Sequence, residues 1–297
     1  KITNRVTVLR DGKSIGTVQT ADVTQSQLAS MMVGRETFGV KRETQSFSDA
    51  QIVLEIKNLS ALDGQGLPAL KNINLVIKKG EILGIAGVSG NGQKQLAEVL
   101  SGVRKPSSGE IKLDSTSLIG KNASQFTNAG MGRIPEDRHE GVVGDLTVFE
   151  NLALEHLDKF SNNGFLNRKA IQENAESLIE QFQIKAKPGD KIRTLSGGNM
   201  QKVLLARVLA TKPKVVLAPQ PTRGLDVGAT DYVREQLLVQ KKNGAAVLLI
   251  SEDLDEILSL SDRIAVIYEG EIVGLLQAHE ATPERLGLLM SGAVKEL

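Results

Sequence analysis

The chain has 297 residues, a net charge of +1, 40% hydrophobic residues and no cysteine. A chain of this length and composition can bury a substantial core in one or two domains. The near-zero charge gives no field that attracts nucleic acid or an anionic membrane, and the missing cysteine excludes disulfides and thiolate metal sites. No apolar run approaches the roughly 20 residues that a membrane-spanning helix needs. The three histidines, His139, His156 and His279, are far apart in the sequence and form no metal-binding motif.

The first predicted element is a β-hairpin that recurs near the other end of the chain. Residues 3–20 read TNRVTVLRDGKSIGTVQT, and residues 261–278 read SDRIAVIYEGEIVGLLQA. In both, apolar residues alternate around a turn, which is typical of a hairpin. The matched pairs, all 258 positions apart, are Arg5 with Arg263, Gly12 with Gly270, Gly16 with Gly274, Gln19 with Gln277, Leu28 with Leu286, Met32 with Met290 and Gly34 with Gly292. The last three pairs fall in a short predicted helix, so the likeness extends beyond the hairpin.

The repeat indicates that residues 1 to about 40 are the C-terminal remnant of a preceding copy of the same domain. The alternative is a chance likeness of two hairpins, and the match of the following helix in the same register argues against it. Residues 35–50 are polar with few apolar anchors, and we interpret residues 41–50 as a linker. Residues 51–297 would then be the second copy.

The second copy alternates between strand-like and helical patterns. The runs EILGIAGV, KVVLA and AAVLLIS are continuous and rich in branched residues, as in strands that are buried on both faces. Helical patterns such as QLAEVLSG and MQKVLLARVLA fall between them. This order predicts an α/β fold with a mainly parallel core sheet. An antiparallel β portion is expected at 51–80 and a helical insert at about 136–190.

A glycine-rich loop connects the first of these buried strands to a helix. Its candidate nucleotide-binding residues are Gly87, Ser89, Gly90, Asn91, Gly92, Gln93, Lys94 and Gln95. Backbone N–H groups at such a strand-to-helix turn can bind phosphate. The spacing G-x-x-G-x-G differs from the dinucleotide motif G-x-G-x-x-G. Taken alone, the loop could equally be a tight turn that binds nothing.

A more specific motif, LSGGNMQ at 195–201, is followed by a helix, the strand KVVLA and then PTRGLD at 221–226. With this order and spacing the chain resembles the ATP-binding cassette (ABC) ATPases over essentially all of residues 51–297. Among these it is most similar to the second halves of tandem-domain ATPases of nucleoside and simple-sugar importers. The stretches that carry this likeness are GNGQ at 90–93, IPEDR at 134–138, QPTRGLDVGA at 220–229 and ISEDLDE at 250–256. The resemblance implies a P-loop ABC-ATPase domain.

The resemblance also implies a set of catalytic groups, and most of them are replaced in this chain. Gln93 stands at the position of the phosphate-binding lysine, and Lys94 at that of the hydroxyl that binds Mg²⁺. Pro219 replaces the metal-supporting carboxylate and Gln220 the catalytic glutamate. Glu136 and Glu252 take the places of the glutamine and histidine that face the γ-phosphate. We therefore expect this site to bind ATP weakly or not at all, to hold no metal and to have no catalytic residue.

The signature motif is intact, and the resemblance implies that it acts in trans. Leu195, Ser196, Gly197, Gly198 and Gln201 would complete an ATP site on the first nucleotide-binding domain of the parent protein, where Mg²⁺ would also bind. Asp226 falls on the loop that faces the domain partner. The implied partners are that first domain, transmembrane permease subunits and, indirectly, an extracellular solute-binding protein, but no nucleic acid. The implied location is peripheral, on the cytoplasmic face of the membrane.

Two alternatives to this importer hypothesis stay open at the sequence level. A tandem ABC protein that acts on ribosomes or nucleic acid is disfavoured by the near-zero charge and the missing catalytic set. A scaffold that binds no nucleotide is compatible with the altered loop. Residues 136–140 are either a solvated acidic loop or the start of a permease contact. The transported solute is not encoded in these motifs.

Overall fold

The computed structural model describes residues 3–10, 13–24, 27–28, 31, 47, 49–162 and 164–296. Gly12, Met32 and Gly34 of the repeat, and most of the predicted linker at 41–50, lie outside the described residues. The N-terminal segment forms the antiparallel strands β1 (Arg5–Arg10) and β2 (Lys13–Gln19). Among the described residues, no helix is long and apolar enough to cross a bilayer.

An antiparallel sheet follows, in agreement with the antiparallel β portion predicted at 51–80. It contains β3 (Ile52–Leu62), β4 (Pro68–Lys78), β6 (Ser108–Leu113) and β7 (Thr116–Ser117), in the order β4-β3-β6-β7. Apolar side chains on one face of β3 and β4, among them Leu54 and Ile77, are fully buried. This sheet therefore forms one wall of the core.

The central sheet is parallel except at one edge. Its strands are β5 (Ile82–Ala86), β8 (Met131–Arg133), β11 (Val215–Pro219), β12 (Ala246–Ser251), β13 (Arg263–Tyr268) and β14 (Glu271–Gln277). The order is β14-β13-β5-β12-β11-β8, and only the β13–β14 pair is antiparallel. The predicted fold class, an α/β domain with a mainly parallel core sheet, is confirmed.

Successive residues of the central strands point into two different hydrophobic clusters. In β5, Ile82 and Ala86 contact the cluster formed with the helices, whereas Leu83 and Ile85 contact the cluster shared with the antiparallel sheet. Such burial on both faces explains why these strands are continuous apolar runs rather than alternating ones.

The described helices are α1 (Gln93–Leu100), α2 (Ala123–Ala129), α3 (Val148–Ala153), α4 (Arg168–Gln181), α5 (Gly197–Leu209), α6 (Val227–Lys242), α7 (Leu254–Leu260) and α8 (Pro283–Met290). Helices α3 and α4 lie within the predicted insert. A 3₁₀ segment (Leu154–Phe160) and two short paired strands, β9 (Ser161–Asn162) and β10 (Phe165–Leu166), separate them. Thr147 and Glu150 form a capping box at the start of α3, which fixes where the insert's first helix begins.

The repeated hairpins share their strand pairing as well as their sequence. Val8 pairs with Gly16, and the register then shifts; Val266 pairs with Gly274, and the register shifts at the same place. A Cβ at Gly16 would lie 3.7 Å from Met31, and one at Gly274 would lie 3.0 Å from Leu289, which is the residue 258 positions after Met31. The glycine of each hairpin therefore faces the equivalent residue of the repeat in both segments.

Candidate functional site

The altered positions lie at the ends of four strands that are neighbours in the central sheet. The glycine loop follows β5, Glu252 follows β12, Gln220 follows β11, and Glu136 comes three residues after β8. Because these strands are parallel and adjacent, their carboxyl ends meet at one edge, where α/β proteins bind ligands. The fold thus brings together the residues that the sequence singled out. Hereafter we call this edge the loop edge.

The glycine loop wraps closely around the start of α1. Gly90 and Gly92 adopt positive φ angles of 89° and 107°, which side-chain-bearing residues rarely adopt. A Cβ on Gly87 would lie 2.8 Å from the carbonyl oxygen of Ile267, so the neighbouring backbone leaves room only for glycine. Helix α1 begins after Gly92 without a side-chain cap, so backbone N–H groups remain available at its N-terminus.

Gln93 fills the interior of this loop. Its side chain is only 6% exposed, and neither its amide nitrogen nor its amide oxygen has a hydrogen-bond partner among the described residues. A Cβ on Gly87 would lie 2.8 Å from Nε2 of Gln93, so the amide points into the loop. A neutral amide cannot supply the charge that a lysine would bring to a phosphate. Lys94 is exposed on the first turn of α1 and does not replace that charge inside the loop.

Hydrogen bonds between Asn91 and the β13–β14 turn, which the sequence did not predict, hold the glycine loop in place. Oδ1 of Asn91 accepts a hydrogen bond from the backbone N–H of Glu269 (2.8 Å), and Nδ2 of Asn91 donates to the carbonyl of Val88 (2.9 Å). The N–H of Gly270 donates to the carbonyl of Asn91 (3.0 Å). Asn91 is therefore occupied by the turn and unavailable as a ligand. From the sequence, residues 269–270 were identified only as the turn of a hairpin.

Gln220 and Glu252 contact one another at the ends of β11 and β12. Gln220 has a φ of 47°, and its N–H donates to the carbonyl of Ile250 (2.7 Å). The backbone N–H of Glu252 donates to Oε1 of Gln220 at 3.4 Å. Glu252 is exposed, and Pro219 beside them is buried. Gln220 has no proton-accepting carboxylate, and Pro219 has no side-chain oxygen for a metal.

Glu136 forms an ion pair with Arg223 at 3.0 Å, across the gap between the loop edge and the 221–226 loop. Asp137, His139 and Glu140 are exposed nearby. Within the described ranges, no group of three or more histidine, cysteine or acidic side chains could hold a metal ion. Mg²⁺ requires oxygen ligands, and Lys94 and Pro219 offer none where the resemblance places them. The loop edge retains a backbone cradle for an anion but does not fit a magnesium–triphosphate.

The signature motif begins a second helix, α5, in a different environment. Ser196 is exposed and caps the helix: its hydroxyl accepts from the N–H of Asn199 at 3.4 Å. Gly197 and Gly198 are half-buried, and Leu195 packs on the core formed with the helices. Gln201, the last of the predicted signature residues, is buried, and its Nε2 donates to the carbonyl of Pro221 (3.1 Å). Ser196 is therefore the exposed residue of the motif, with Gly197 and Gly198 half-buried beside it.

Asp226 lies close to this turn, at the start of α6. Its Oδ1 accepts from the N–H of Ala229 (2.9 Å), which caps the helix. A Cβ on Gly198 would lie 3.2 Å from Cβ of Ala229, so the N-termini of α5 and α6 are in contact. The signature turn and the Asp226 loop thus form one surface.

A groove of about 1130 Å³ runs between α1, α2 and the 135–141 segment, and it reaches Glu155 and Arg207. Arg207 is buried within α5, pairs with Glu155 at 2.9 Å and donates to the carbonyl of Gly141 (2.7 Å). Burial lowers the pKa of Arg207 and the Glu155 carboxylate opposes that shift. Glu136, Arg138 and Lys94 also line the groove. Its walls therefore carry charges of both signs.

Comparisons with known proteins place these features in context. The family model described as ABC transporter matches residues 70–223. The chain is 46% identical to a glucose import ATP-binding protein of Haloferax volcanii, covering 98% of this chain and 54% of that protein. It is 42% identical to a guanosine import ATP-binding protein of Bacillus subtilis, covering 99% of this chain and 58% of that protein. It is 40% identical to a ribose import ATP-binding protein of Clostridium perfringens, covering 98% and 58%. The chain thus spans little more than half the length of these relatives.

Solved structures agree with the fold. A dimeric ATP-binding cassette in a post-hydrolysis state, bound to ADP and Pi, superposes with a TM-score of 0.66 and 26% identity, covering 76% of this chain and 98% of that chain. A nucleotide-free cassette from an ABC transporter gives a TM-score of 0.66 at 23% identity, covering 81% and 96%.

Proposed function

Because the chain belongs to the ABC transporter family, we propose that it is part of the ATP-binding subunit that energises an importer of nucleosides or simple sugars. The names of the glucose, guanosine and ribose import proteins support this solute class. The same relatives do not single out one solute.

We further propose that residues 1–40 are the end of a first nucleotide-binding domain and that residues 51–297 are the second, joined by a linker at 41–50. The support is the repeat at a spacing of 258 residues, with equivalent pairing and an equivalent register shift in both hairpins. The chain also spans only 54–58% of the length of its relatives, which leaves room for most of another domain.

The second domain's own site is proposed not to hydrolyse ATP. At the loop edge a buried neutral Gln93 stands where a lysine would meet the phosphates, and Gln220 stands where a carboxylate would polarise water. Glu252 and the Arg223-paired Glu136 bring no cation to a triphosphate. Electrostatic stabilisation of the transferring phosphoryl group is the largest contribution to catalysis in this chemistry, and the loop edge cannot provide it.

The observation that carries the proposal is the intact Ser196-Gly197-Gly198 turn at the N-terminus of α5, in which Ser196 is exposed and the two glycines are half-buried. A helix N-terminus with free N–H groups stabilises phosphate charge. In a head-to-tail pair of domains this turn would close the ATP site of the first domain, where Mg²⁺ would bind, with Asp226 beside it. A similar solved cassette is dimeric with ADP and Pi bound, which is consistent with such pairing.

The groove beside Glu136 and Arg138 is the proposed contact for a permease subunit, which would hold the protein peripherally on the cytoplasmic face of the membrane. A solute-binding protein would act through the permease and not touch this chain. The support is the import function named in the relatives and the size of the groove.

The test is ATP turnover by the parent two-domain protein with Gly198 replaced by valine. The added side chain meets Ala229 and blocks the turn, so turnover should fall about 100-fold, the typical effect of losing a transition-state donor. Gly189→Val is the matched control, because a Cβ there meets no atom within 4 Å. Unchanged turnover in Gly198→Val would contradict the trans role and favour a scaffold that binds no nucleotide.

A further inference from the structure

Arg138 connects three parts of the molecule that are distant in sequence. Its Nη1 donates to the carbonyl of Arg223 (3.1 Å), and its Nη2 lies 3.4 Å from the carbonyl of Gly224. Its Nε would lie 3.1 Å from a Cβ on Gly197 in the signature turn. The same side chain also lines the groove. One guanidinium thus contacts the groove, the loop that leads to Asp226, and the start of α5.

The 221–224 segment is held from two directions. Arg223 is held through both its side chain and its backbone. Its guanidinium pairs with Glu136 at 3.0 Å, and its carbonyl accepts a hydrogen bond from Arg138. From the other side, buried Gln201 of α5 donates to the carbonyl of Pro221 (3.1 Å). Hydrogen bonds and an ion pair therefore link the 135–141 segment of the groove and helix α5 to the same 221–224 loop.

The contact depends on the geometry of arginine and on the absence of a side chain at residue 197. A planar guanidinium can donate hydrogen bonds to two consecutive carbonyls, whereas a lysine ammonium is a single point charge on a flexible side chain. Gly197 permits the close approach, and Gly224 adopts a φ of 67° with Nη1 of Arg138 3.5 Å from where its Cβ would lie. Any side chain at residue 197 would press on the guanidinium.

We propose that Arg138 is a positioning residue through which a protein segment in the groove sets the position of the Ser196-Gly197-Gly198 turn and the Asp226 loop. This inference rests on the proposed function, in which the groove faces a permease and the turn completes the partner domain's ATP site. Arg138 touches no nucleotide; it acts through the turn and the loop. Occupancy of the groove would thereby control turnover at the other domain's site.

The first test uses this chain alone and does not depend on transport. Hydrogen–deuterium exchange is measured for the wild type, Arg138→Met and Arg138→Lys, with Arg168→Met as control. Arg168 is an exposed arginine that lies 4.0 Å from Glu150 and 5.8 Å from the ring of Phe149, far from the 221–226 loop in sequence. Losing the hydrogen bonds to two carbonyls should speed exchange of the 197–200 and 222–226 amides about tenfold in Arg138→Met, with a smaller effect in Arg138→Lys. Exchange in α7 should not change.

Gly197→Ala approaches the same contact from the opposite side. Its methyl group would lie 3.1 Å from Nε of Arg138 and displace the guanidinium without removing it. The 222–226 amides should again exchange faster, although Arg138 is still present. If neither Arg138→Met nor Gly197→Ala changes exchange at 222–226, Arg138 does not hold the loop and the inference is wrong.

The second test measures ATP turnover of the parent protein with and without its permease. Arg138→Met should abolish most of the stimulation by the permease, lowering kcat about tenfold in the assembled transporter, with KM for ATP unchanged. Arg138→Lys should restore part of kcat. A raised KM with unchanged kcat, or full stimulation in Arg138→Met, would overturn the coupling role. Failure of the underlying proposal is distinguishable, because Gly198→Val would then leave turnover intact whatever Arg138 does.

Discussion

The N-termini of α1 and α5 use the same backbone device in opposite ways. Both present glycines and free N–H groups before a helix. At α1 the loop is closed around the buried Gln93 and tied down through Asn91 to the β13–β14 turn. At α5 the start is capped by Ser196 and remains exposed beside Asp226. The start of α1 therefore has its loop filled by a neutral side chain, whereas the start of α5 has an exposed serine at its cap.

The difference shows why a glycine-rich loop alone does not indicate that a site hydrolyses ATP. Gly87 packs against the backbone of Ile267, and Gly92 packs against the carbonyl of Ala69, at positions where a Cβ would come within 2.8 Å and 2.7 Å. These glycines are therefore required for packing, whether or not a phosphate binds. The groups that perform chemistry, a lysine, a hydroxyl and a carboxylate, make no such packing demand, so they can be replaced while the fold remains.

The largest expected effect contrasts the two helix starts directly in the parent protein. Ser196→Arg places a bulky side chain on the exposed turn and should lower ATP turnover about 100-fold, as expected for a blocked transition-state contact. Lys94→Ala, at the start of α1, should change turnover less than about twofold, since Lys94 points to solvent. Steady-state ATPase assays on both variants check this contrast. A larger loss in Lys94→Ala than in Ser196→Arg would reverse the roles assigned to the two loops.

The next effect tests the packing explanation for the glycine loop. In Gly87→Ala the new Cβ would lie 2.8 Å from the carbonyl oxygen of Ile267, and such overpacking should cost about 2 kcal/mol of unfolding free energy. Gly90→Ala meets no atom within 4 Å and has only its φ of 89° to disfavour it, which should cost about 1 kcal/mol. Urea denaturation of this chain compares the two. Equal losses would mean that contact with the β13 backbone is not what requires glycine at residue 87.

The strands, helices and loops around the two helix starts were predicted from the sequence more successfully than the side-chain contacts between them. Continuous branched runs identified the buried strands, and the adjacency of parallel strands then brought Gln220, Glu252 and the glycine loop to one edge. The repeat even carried the pairing register of the hairpins. The sequence did not predict that the side chain of Gln201 points inward. The motif fixes the order of its residues but not which face of the helix each residue occupies.

Arg138 was missed as a structural link for a related reason. A half-buried arginine within a polar loop breaks no hydrophobic period, so RIPEDRHE suggested only a solvated acidic segment or a permease contact. Its partners are backbone carbonyls 85 and 86 residues away. Because every residue has a backbone carbonyl, the sequence does not indicate which ones Arg138 contacts. The hydrogen bond from the N–H of Glu269 to Asn91 could not be predicted for the same reason, since almost any residue could supply that N–H.

A smaller effect should follow from returning charge to the glycine loop. Gln93→Lys with Lys94→Ser places a cation inside the loop and a hydroxyl after it. Affinity for ATP should rise about tenfold over the wild type, because a charge-assisted contact to phosphate replaces an unpartnered amide. Titration calorimetry with and without Mg²⁺ measures it. The metal should add little, since Pro219 still provides no oxygen ligand.

The matched control is Lys94→Ser alone, which supplies the hydroxyl but leaves Gln93 in the loop. It should bind ATP no more tightly than the wild type. If it gains as much affinity as the double variant, the buried Gln93 is not what limits phosphate binding at α1.

The smallest expected effect is a pH dependence from a buried carboxyl group behind the loop edge. Glu256 is fully buried at the start of α7, and Nε of Arg234 lies 3.6 Å from its Oε1. Burial raises the pKa of Glu256, although the neighbouring polar side chains of Ser251 and Thr222 and the charge of Arg234 oppose the shift. The folded state therefore keeps this proton at a pH where the unfolded chain has released it. Its contribution to stability is present below the pKa of the unfolded chain and is lost as pH rises through the folded-state pKa.

Glu256→Gln removes this titration, so the unfolding free energy of the wild type should decline relative to that of the variant as pH rises from 4 to 7. Urea denaturation at several pH values measures the difference between the two slopes. Glu252→Gln, an exposed carboxylate on the same turn, controls for the loss of one negative charge. A wild-type slope that rises relative to Glu256→Gln would mean that Arg234 outweighs burial. The protonation of Glu256 would then be governed by its ion pair with Arg234 and not by its burial.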